Sequence, residues 1–196
     1  ETIRLGLQGR VTASHTTAMH SYNNAYAYRL IRWMRRAGVH FVTNPLDNAV
    51  LQGRFDSYPI RRGFTRVREL LANGINVCIG HDSIMDPWYP LGVGDPLQAC
   101  FVMVHYGQMS GRDELEMMLD LVTTRAAACF GVEDYGLTRG AGADLVVFDA
   151  PSAVDVVRTL ASRRYVVSRG HLVAQTDPAR STVRWNGREE AVRFLP

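Results

Sequence analysis

The chain has 196 residues, 46% of them hydrophobic and 21% charged, with a formal net charge of +3. This is enough to bury a core in one or two domains, and it argues against disorder. No run nears the ~18 apolar residues of a membrane span, no signal-peptide pattern opens the chain, and the 22 cations are all Arg, scattered among acids, which disfavours nucleic acid and excludes Schiff-base chemistry through Lys.

Gly9 to Ser14 is a short β-prone run that ends in His15. From Asn23 to Ala37 the apolar residues Ala27, Leu30, Ile31, Met34 and Ala37 keep helical spacing, and Gly38 stands where a helix stops. His40 to Thr43 predicts a second strand, broken by Asn44-Pro45, and Leu46 to Gly63 a polar loop. Thr65 to Ala72 predicts a helix with Thr65 as its N-cap. Ile75 to Gly80 predicts a strand apolar on both faces, as in a parallel sheet covered by helices, and it ends in His81-Asp82. Leu97 to Met109 and Glu114 to Phe130 read as two longer helices.

Strand and helix thus alternate, the mark of repeated βα units in an α/β fold. His15, Asn44 and Asp82 each follow a strand, where such folds build their sites. From Leu137 onward the texture becomes β-rich, with short strands near residues 143–149, 165–167, 170–173 and 182–185, and one helical stretch from Val154 to Leu160.

Six histidines are present, and none forms an HxH or HExxH pair. His15 and His20 are five apart, which does not place them on one helical face. A catalytic zinc site needs three protein ligands, and position favours only His15 and Asp82. His105 reads as a satisfied core or interface residue, His40 as structural and His171 as surface, while His20 stays open. Cys78, Cys100 and Cys129 are isolated in apolar stretches and read as buried small hydrophobes in a reducing compartment. No G-x-S-x-G elbow and no phosphate loop occur.

The segment Val11-Thr12-Ala13-Ser14-His15 through Met19-His20-Ser21-Tyr22-Asn23 resembles the sixth-strand segment of bacterial cytosine deaminases of the amidohydrolase superfamily. Asn44-Pro45-Leu46, Leu51-Gln52-Gly53-Arg54-Phe55-Asp56, Gly80-His81-Asp82 and Asp86-Pro87-Trp88-Tyr89-Pro90-Leu91-Gly92 are similar to the same family in the same order. The likeness extends through Asp134-Tyr135-Gly136 and Gly142-Ala143-Asp144-Leu145 and covers essentially the whole chain.

The resemblance implies the C-terminal part of a (β/α)8 TIM-type barrel, strands six to eight, in residues 1–135, and the C-terminal part of a small β-sandwich in residues 136–196. It also implies an N-terminal half before Glu1, a homo-oligomer and a cytoplasmic enzyme. The reaction implied is hydrolytic deamination of a pyrimidine with one divalent metal ion, Fe2+ or Zn2+, which lowers the pKa of bound water toward ~7. By its match, Asp82 would ligate the metal and take the water's proton, and His15 would hydrogen-bond the attacking oxygen and bind substrate. Trp88 would line the ring pocket, and His81 would orient the loop. Ser83 departs from the pattern, because the cytosine deaminases carry a second Asp there. The smaller side chain implies a pocket for a 5-substituted cytosine such as 5-methylcytosine. Two other readings remain: an amidohydrolase acting on a pterin or creatinine-like ring, and a non-catalytic fragment whose open sheet edges require its N-terminal half.

Overall fold

The computed structural model describes residues 1–177 and 179–192. The chain is mixed α/β, with one parallel and two antiparallel sheets among the described residues. It divides into two compact units, Glu1–Glu133 and Asp134–Pro196.

In the first unit three strands, β1 (Val11–Ser14), β2 (Val39–Thr43) and β3 (Val77–Ile79), pair in parallel in the order β1-β2-β3. Parallel neighbours need a crossover between them. Helix α1 (Asn24–Ala37) supplies the first, and α2 (Pro45–Leu51) with α3 (Val67–Ala72) the second. All three strands therefore end on one edge of the sheet. β3 is buried along its whole length and β2 at alternate residues.

The ends of α1 show how local chemistry sets this spacing. The Asn23 side chain accepts the Tyr26 N–H at 2.9 Å and satisfies one open donor of the first turn. Ala27, Ile31 and Ala37 are buried, whereas Tyr28 and Trp33 on the other face are exposed. Gly38 closes the helix in the left-handed region, with its N–H on the carbonyls of Arg35 and Met34. A Cβ at Gly38 would also stand 2.8 Å from the backbone nitrogen of Gly9, so a side chain is excluded twice over.

Four sequence expectations change. The first part of the polar loop is the helix α2, with Pro45 in its first turn, and its Pro45, Leu46, Asp47 and Asn48 are buried. Thr65 does not cap α3. Arg66 occupies that position without a side-chain cap, while the Thr65 hydroxyl donates to Met19 Sδ at 3.2 Å. The long helix expected from Glu114 to Phe130 is three pieces: α5 (Arg112–Met117), a 3-10 turn (Met118–Val122) and α6 (Thr124–Phe130). The break falls at Thr123, which leaves helical geometry at φ −122°, ψ −97° and donates its hydroxyl to the Leu119 carbonyl at 2.7 Å. The helix preceding them, α4, spans Pro96–Tyr106. His105, expected to be a satisfied core or interface residue, is exposed rather than in the core, and its ring is satisfied through Nδ1 by the Phe101 carbonyl at 2.7 Å.

Cys78 and Cys129 are far apart in sequence, yet their sulfurs lie 3.4 Å from each other. All three cysteines are free thiols. No helix among the described residues is long and apolar enough to cross a membrane.

In the second unit, β4 (Leu145–Phe148), β5 (Arg163–Ser168) and β6 (His171–Gln175) form an antiparallel sheet. Strands β7 (Ser181–Trp185) and β8 (Arg188–Val192) form a separate hairpin, and α7 (Ala153–Thr159) lies between β4 and β5 in sequence. Both β5-β6 and β7-β8 turn through two residues of positive φ, Arg169-Gly170 and Asn186-Gly187. Such turns match the twist of the strands they join. The sequence reading missed β8, because Arg188-Glu189-Glu190 carries no apolar alternation; its exposed position explains why none is needed.

The first unit's sheet depends on α1 staying docked. Replacing Ile31, 2% exposed, by Ala should lower stability by about 2–5 kcal/mol. Urea unfolding at unchanged m-value would read this as a shift in midpoint.

Candidate active site

The shared edge of the parallel sheet collects the polar residues. His15 follows β1, Asn44 follows β2, and Gly80-His81-Asp82 follows β3. The His15 N–H donates to the Val42 carbonyl at 2.8 Å, and the Gly80 N–H to the Thr43 carbonyl at 2.9 Å, so both chain exits are tied to β2. A Cβ at Gly80 would lie 2.3 Å from Asn44 Oδ1, which explains glycine there. Asn44 Nδ2 donates to Ser14 Oγ at 3.2 Å and links the first two exits again.

His15 Nε2 lies 3.0 Å from Asp82 Oδ2. Both residues have left-handed backbones, φ 63° and 67°. That conformation is uncommon outside glycine, is least unfavourable for Asn, Asp and His, and recurs at functional sites. On its other side, His15 Nδ1 is 3.0 Å from Asn48 Nδ2 in α2. An amide nitrogen can only donate, so Nδ1 accepts and the neutral ring carries its proton on Nε2, facing Asp82. Asn48 is 1% exposed, which leaves it little freedom to move.

Asp47, the neighbour of Asn48, is a site residue that the sequence reading missed. It is 3% exposed, and its Oδ1 is buried with no hydrogen-bond partner among the described residues. Burial, reinforced by the nearby charges of Asp82 and Asp86, raises its carboxyl above the usual range, and a hydrogen bond with Ser83 partly offsets the rise. The only signal available in the sequence was its place in the first turn of a helix hidden behind Asn44-Pro45.

Ser83 lies near enough to Asp47 and Asp86 to favour the ionised form of each carboxyl. Asp86 accepts the N–H groups of Trp88 and Tyr89, each at 2.9 Å, and these bonds, the Tyr89 one foremost, hold its carboxyl below the usual range. It thus builds the loop that presents Trp88. The Trp88 side chain itself is 65% exposed, so the fold brings it to the same loop as Asp82 but does not pack it against His15. His81 turns inward, with both ring nitrogens buried and without partners among the described residues, its ring edge-on to Tyr89 at 6.5 Å and its edge against Gly92.

The other histidines stand apart. His40 bonds the Gly9 carbonyl at 3.1 Å and receives Asn76 Nδ2 at 2.9 Å, and His171 is exposed on β6. His20 lines a separate cavity of about 370 Å³ with Arg61, Arg62, Thr65, Tyr106 and Gln108. Burial foremost, then the Arg61 charge, lowers its ring below the ordinary value. None of His15, Asp82, Ser83 or Trp88 lines that cavity.

The donor set fits part of a divalent-metal site. Asp82 offers a partly exposed carboxylate and His15 an imidazole beside it. Among the described residues no group of three or more His, Cys, Asp or Glu could hold a metal ion, and a catalytic site of this kind takes about three protein ligands.

The profile of the amidohydrolase family matches residues 1–174. The chain belongs to the amidohydrolase family. Among solved structures, this amidohydrolase is similar to the 5-methylcytosine deaminase of Klebsiella pneumoniae liganded with 5-fluorocytosine, with 41% identity and a TM-score of 0.89 over 95% of this chain and 45% of that one. It is also similar to N-isopropylammelide isopropylaminohydrolase of Burkholderia multivorans, with 32% identity and a TM-score of 0.77 over 89% of this chain and 41% of that one. Among curated proteins, the pterin deaminase of Rhizobium rhizogenes is 30% identical over 90% of this chain and 40% of its own length. The chain thus spans less than half the length of each of these relatives.

The raised Asp47 carboxyl has a testable sign. Between the ordinary carboxyl value and the raised one, the folded chain binds more protons than the unfolded chain, so stability falls as pH rises through that window. Asp47→Asn cannot ionise. It should be more stable than the parent at pH 7, and this advantage should vanish below the ordinary carboxyl range. Thermal unfolding from pH 3 to pH 8 would check both arms.

Proposed function

We propose that this amidohydrolase acts in the hydrolytic deamination of a heterocyclic amine, with 5-methylcytosine or cytosine as substrate. The observation that carries the reading is the His15–Asp82 contact at the common strand end, in a chain 41% identical to a 5-methylcytosine deaminase. In this reading residues 1–135 supply strands six to eight of a (β/α)8 barrel, and residues 136–196 supply part of a β-sandwich. The parallel order β1-β2-β3 supports the first assignment, and the antiparallel pairing of β4 to β8 supports the second. Three free thiols are in keeping with a reducing, cytoplasmic setting.

The chemistry asked of the protein is addition of water at C4 of the ring, cleavage of the C–N bond and loss of ammonia. A divalent cation held in part by Asp82, iron or zinc, would generate a nucleophile from water at neutral pH. The Asp82 carboxylate receives the proton that water gives up and can return it to the departing amine. His15, with its proton on Nε2, donates to the oxygen that adds and so stabilises charge as the tetrahedral centre forms. Asn48 keeps that proton on the correct nitrogen. Trp88 offers an aromatic face to a flat ring, and Ser83 leaves room beside C5 for a methyl group.

The likeness to a pterin deaminase favours a second reading, in which the ring is a pterin. Ammonia release by the full-length gene product from cytosine, 5-methylcytosine, pterin and creatinine separates the two. The expected result is turnover of 5-methylcytosine above cytosine, with little on the other rings; turnover confined to pterin would replace the first reading. His15→Gln should lower kcat by about 10²–10⁴-fold with KM little changed. A chelator should abolish turnover, and added iron or zinc should restore it. The 196-residue chain alone should neither retain metal tightly nor turn over substrate.

A further inference from the structure

Cys78 lies in the middle of β3 and Cys129 near the end of α6, which packs against that strand. Their sulfurs are 3.4 Å apart across 51 residues of sequence. Closing that gap to the ~2.05 Å of a disulfide bond takes about 1.4 Å of approach, shared between two side chains. The third thiol has no such neighbour: Cys100 is 0% exposed, and its sulfur faces the Met118 carbonyl at 3.7 Å.

The two facing thiols are not equivalent. Cys78 is 4% exposed in a strand buried along its whole length, whereas Cys129 is partly exposed. Burial resists the charged form, so the proton leaves Cys129 more readily, and the Cys78 S–H remains to donate to the sulfur that has lost it. The Cys129 thiol is accordingly held below its ordinary value, foremost by the Cys78 hydrogen bond, and the Cys78 thiol is pushed up by the same bond and then by burial. Asn76 Nδ2 also lies 3.4 Å from the Cys129 sulfur. It faces His40 Nδ1 and the Arg125 carbonyl at 2.9 Å each, so its two protons serve three acceptors and the Cys78 thiol is the dedicated donor.

We propose that Cys78 and Cys129 are a peroxide-sensitive dithiol, with Cys129 the attacking thiolate and Cys78 the resolving thiol, which closes reversibly into a disulfide. The Cys129 sulfur attacks one oxygen of hydrogen peroxide; an S–O bond forms, the O–O bond breaks and hydroxide leaves. The Cys78 sulfur then attacks the sulfenic sulfur of Cys129; the S–S bond forms, the S–O bond breaks, and the oxygen leaves as water with the Cys78 proton. Two thiols and one peroxide thus give one disulfide and two waters, and two electrons pass from sulfur to the peroxide oxygens. A resolving thiol already in contact captures the sulfenic acid before a second peroxide drives it to the irreversible sulfinic state. In a reducing compartment such a bond is transient, as redox-sensing disulfides are. The inference goes beyond the deaminase reading and does not depend on it.

The test treats the reduced full-length gene product with an equimolar amount of hydrogen peroxide, blocks the remaining thiols with N-ethylmaleimide, and maps the tryptic peptides by mass spectrometry. Cleavage after Arg68, Arg112, Arg125 and Arg139 places Cys78 in residues 69–112 and Cys129 in residues 126–139. The expected product is these two peptides joined, lighter than their sum by two hydrogen atoms and parted again by dithiothreitol. Residues 69–112 also hold Cys100, so fragmentation must place the bond at Cys78. Both thiols recovered with N-ethylmaleimide, a bond at Cys100, or Cys129 carried to its sulfinic acid without a cross-link would overturn the proposal.

Two variants test the order of events. In Cys78→Ala, Cys129 should accumulate as a sulfenic acid that dimedone captures, and excess peroxide should carry it to the sulfinic acid. In Cys129→Ala, the buried Cys78 should stay reduced; its oxidation at the parent's rate would show that Cys129 is not the attacking thiol. The cross-link in the parent needs neither variant, so a variant that fails to fold leaves the proposal open to refutation.

Discussion

The contact between His15 and Asp82 sets the demands that the rest of the first unit meets. Its two residues lie 67 positions apart, and each sits in a left-handed backbone conformation. Left-handed geometry outside glycine costs about 1–3 kcal/mol and persists only where the surroundings over-determine it. Here the surroundings are the central strand and the asparagine at its end. The carbonyls of Val42 and Thr43 receive the N–H groups of His15 and Gly80, one from each outer strand. Asn44 bonds back to Ser14 and leaves so little space that residue 80 has no side chain. The strand between the two site residues is therefore the template that fixes their separation.

Carboxyl groups crowd this edge, and the fold manages each differently. Asp82 faces the Nε2 proton of His15. Asp86 turns back on its own loop and is stabilised as an anion by two backbone N–H groups. Asp47 is taken out of water, and burial drives it toward the protonated form. Of the three, Asp82 is the carboxyl that meets His15. A carboxylate paired with an imidazole suits proton transfer at neutral pH.

How far this was legible from sequence depends on the kind of signal each residue carries. The alternation of strand and helix showed in apolar periodicity, and His15 and Asp82 followed from standing just after strands. Asp47 and Asn48 left no such trace. Their helix begins at a proline that breaks a strand, spans only Pro45–Leu51 and buries polar residues in its first turn, so it reads as loop by composition. The break at Thr123 was equally hidden, because the segment on either side keeps helical spacing and the backbone departs at one residue. Cys78 and Cys129 looked isolated, since no local pattern reports a contact across 51 residues. Ser83 stood out only against the family pattern.

Asn48 shows why the neutral form of His15 matters to the proposed chemistry. Its amide nitrogen donates to Nδ1, while its own Oδ1 is buried without a partner among the described residues. An unpaired acceptor that close to an imidazole would reward a ring flip or a second ring proton, because rotating the amide would then let Nδ1–H donate to Oδ1. What opposes the alternative in the neutral ring is Asp82 on the far side: its Oδ2, 3.0 Å from Nε2, needs the proton there, which leaves Nδ1 as an acceptor for the amide nitrogen. Keeping a buried carbonyl unpaired costs on the order of 1–3 kcal/mol, and the compensation lies in the ring it orients. A histidine that is a fixed Nε2–H donor offers its proton in one direction only, toward Asp82 and whatever oxygen approaches it. The geometry thus separates two tasks that one histidine could confuse: His15 gives a hydrogen bond, and Asp82 moves the proton.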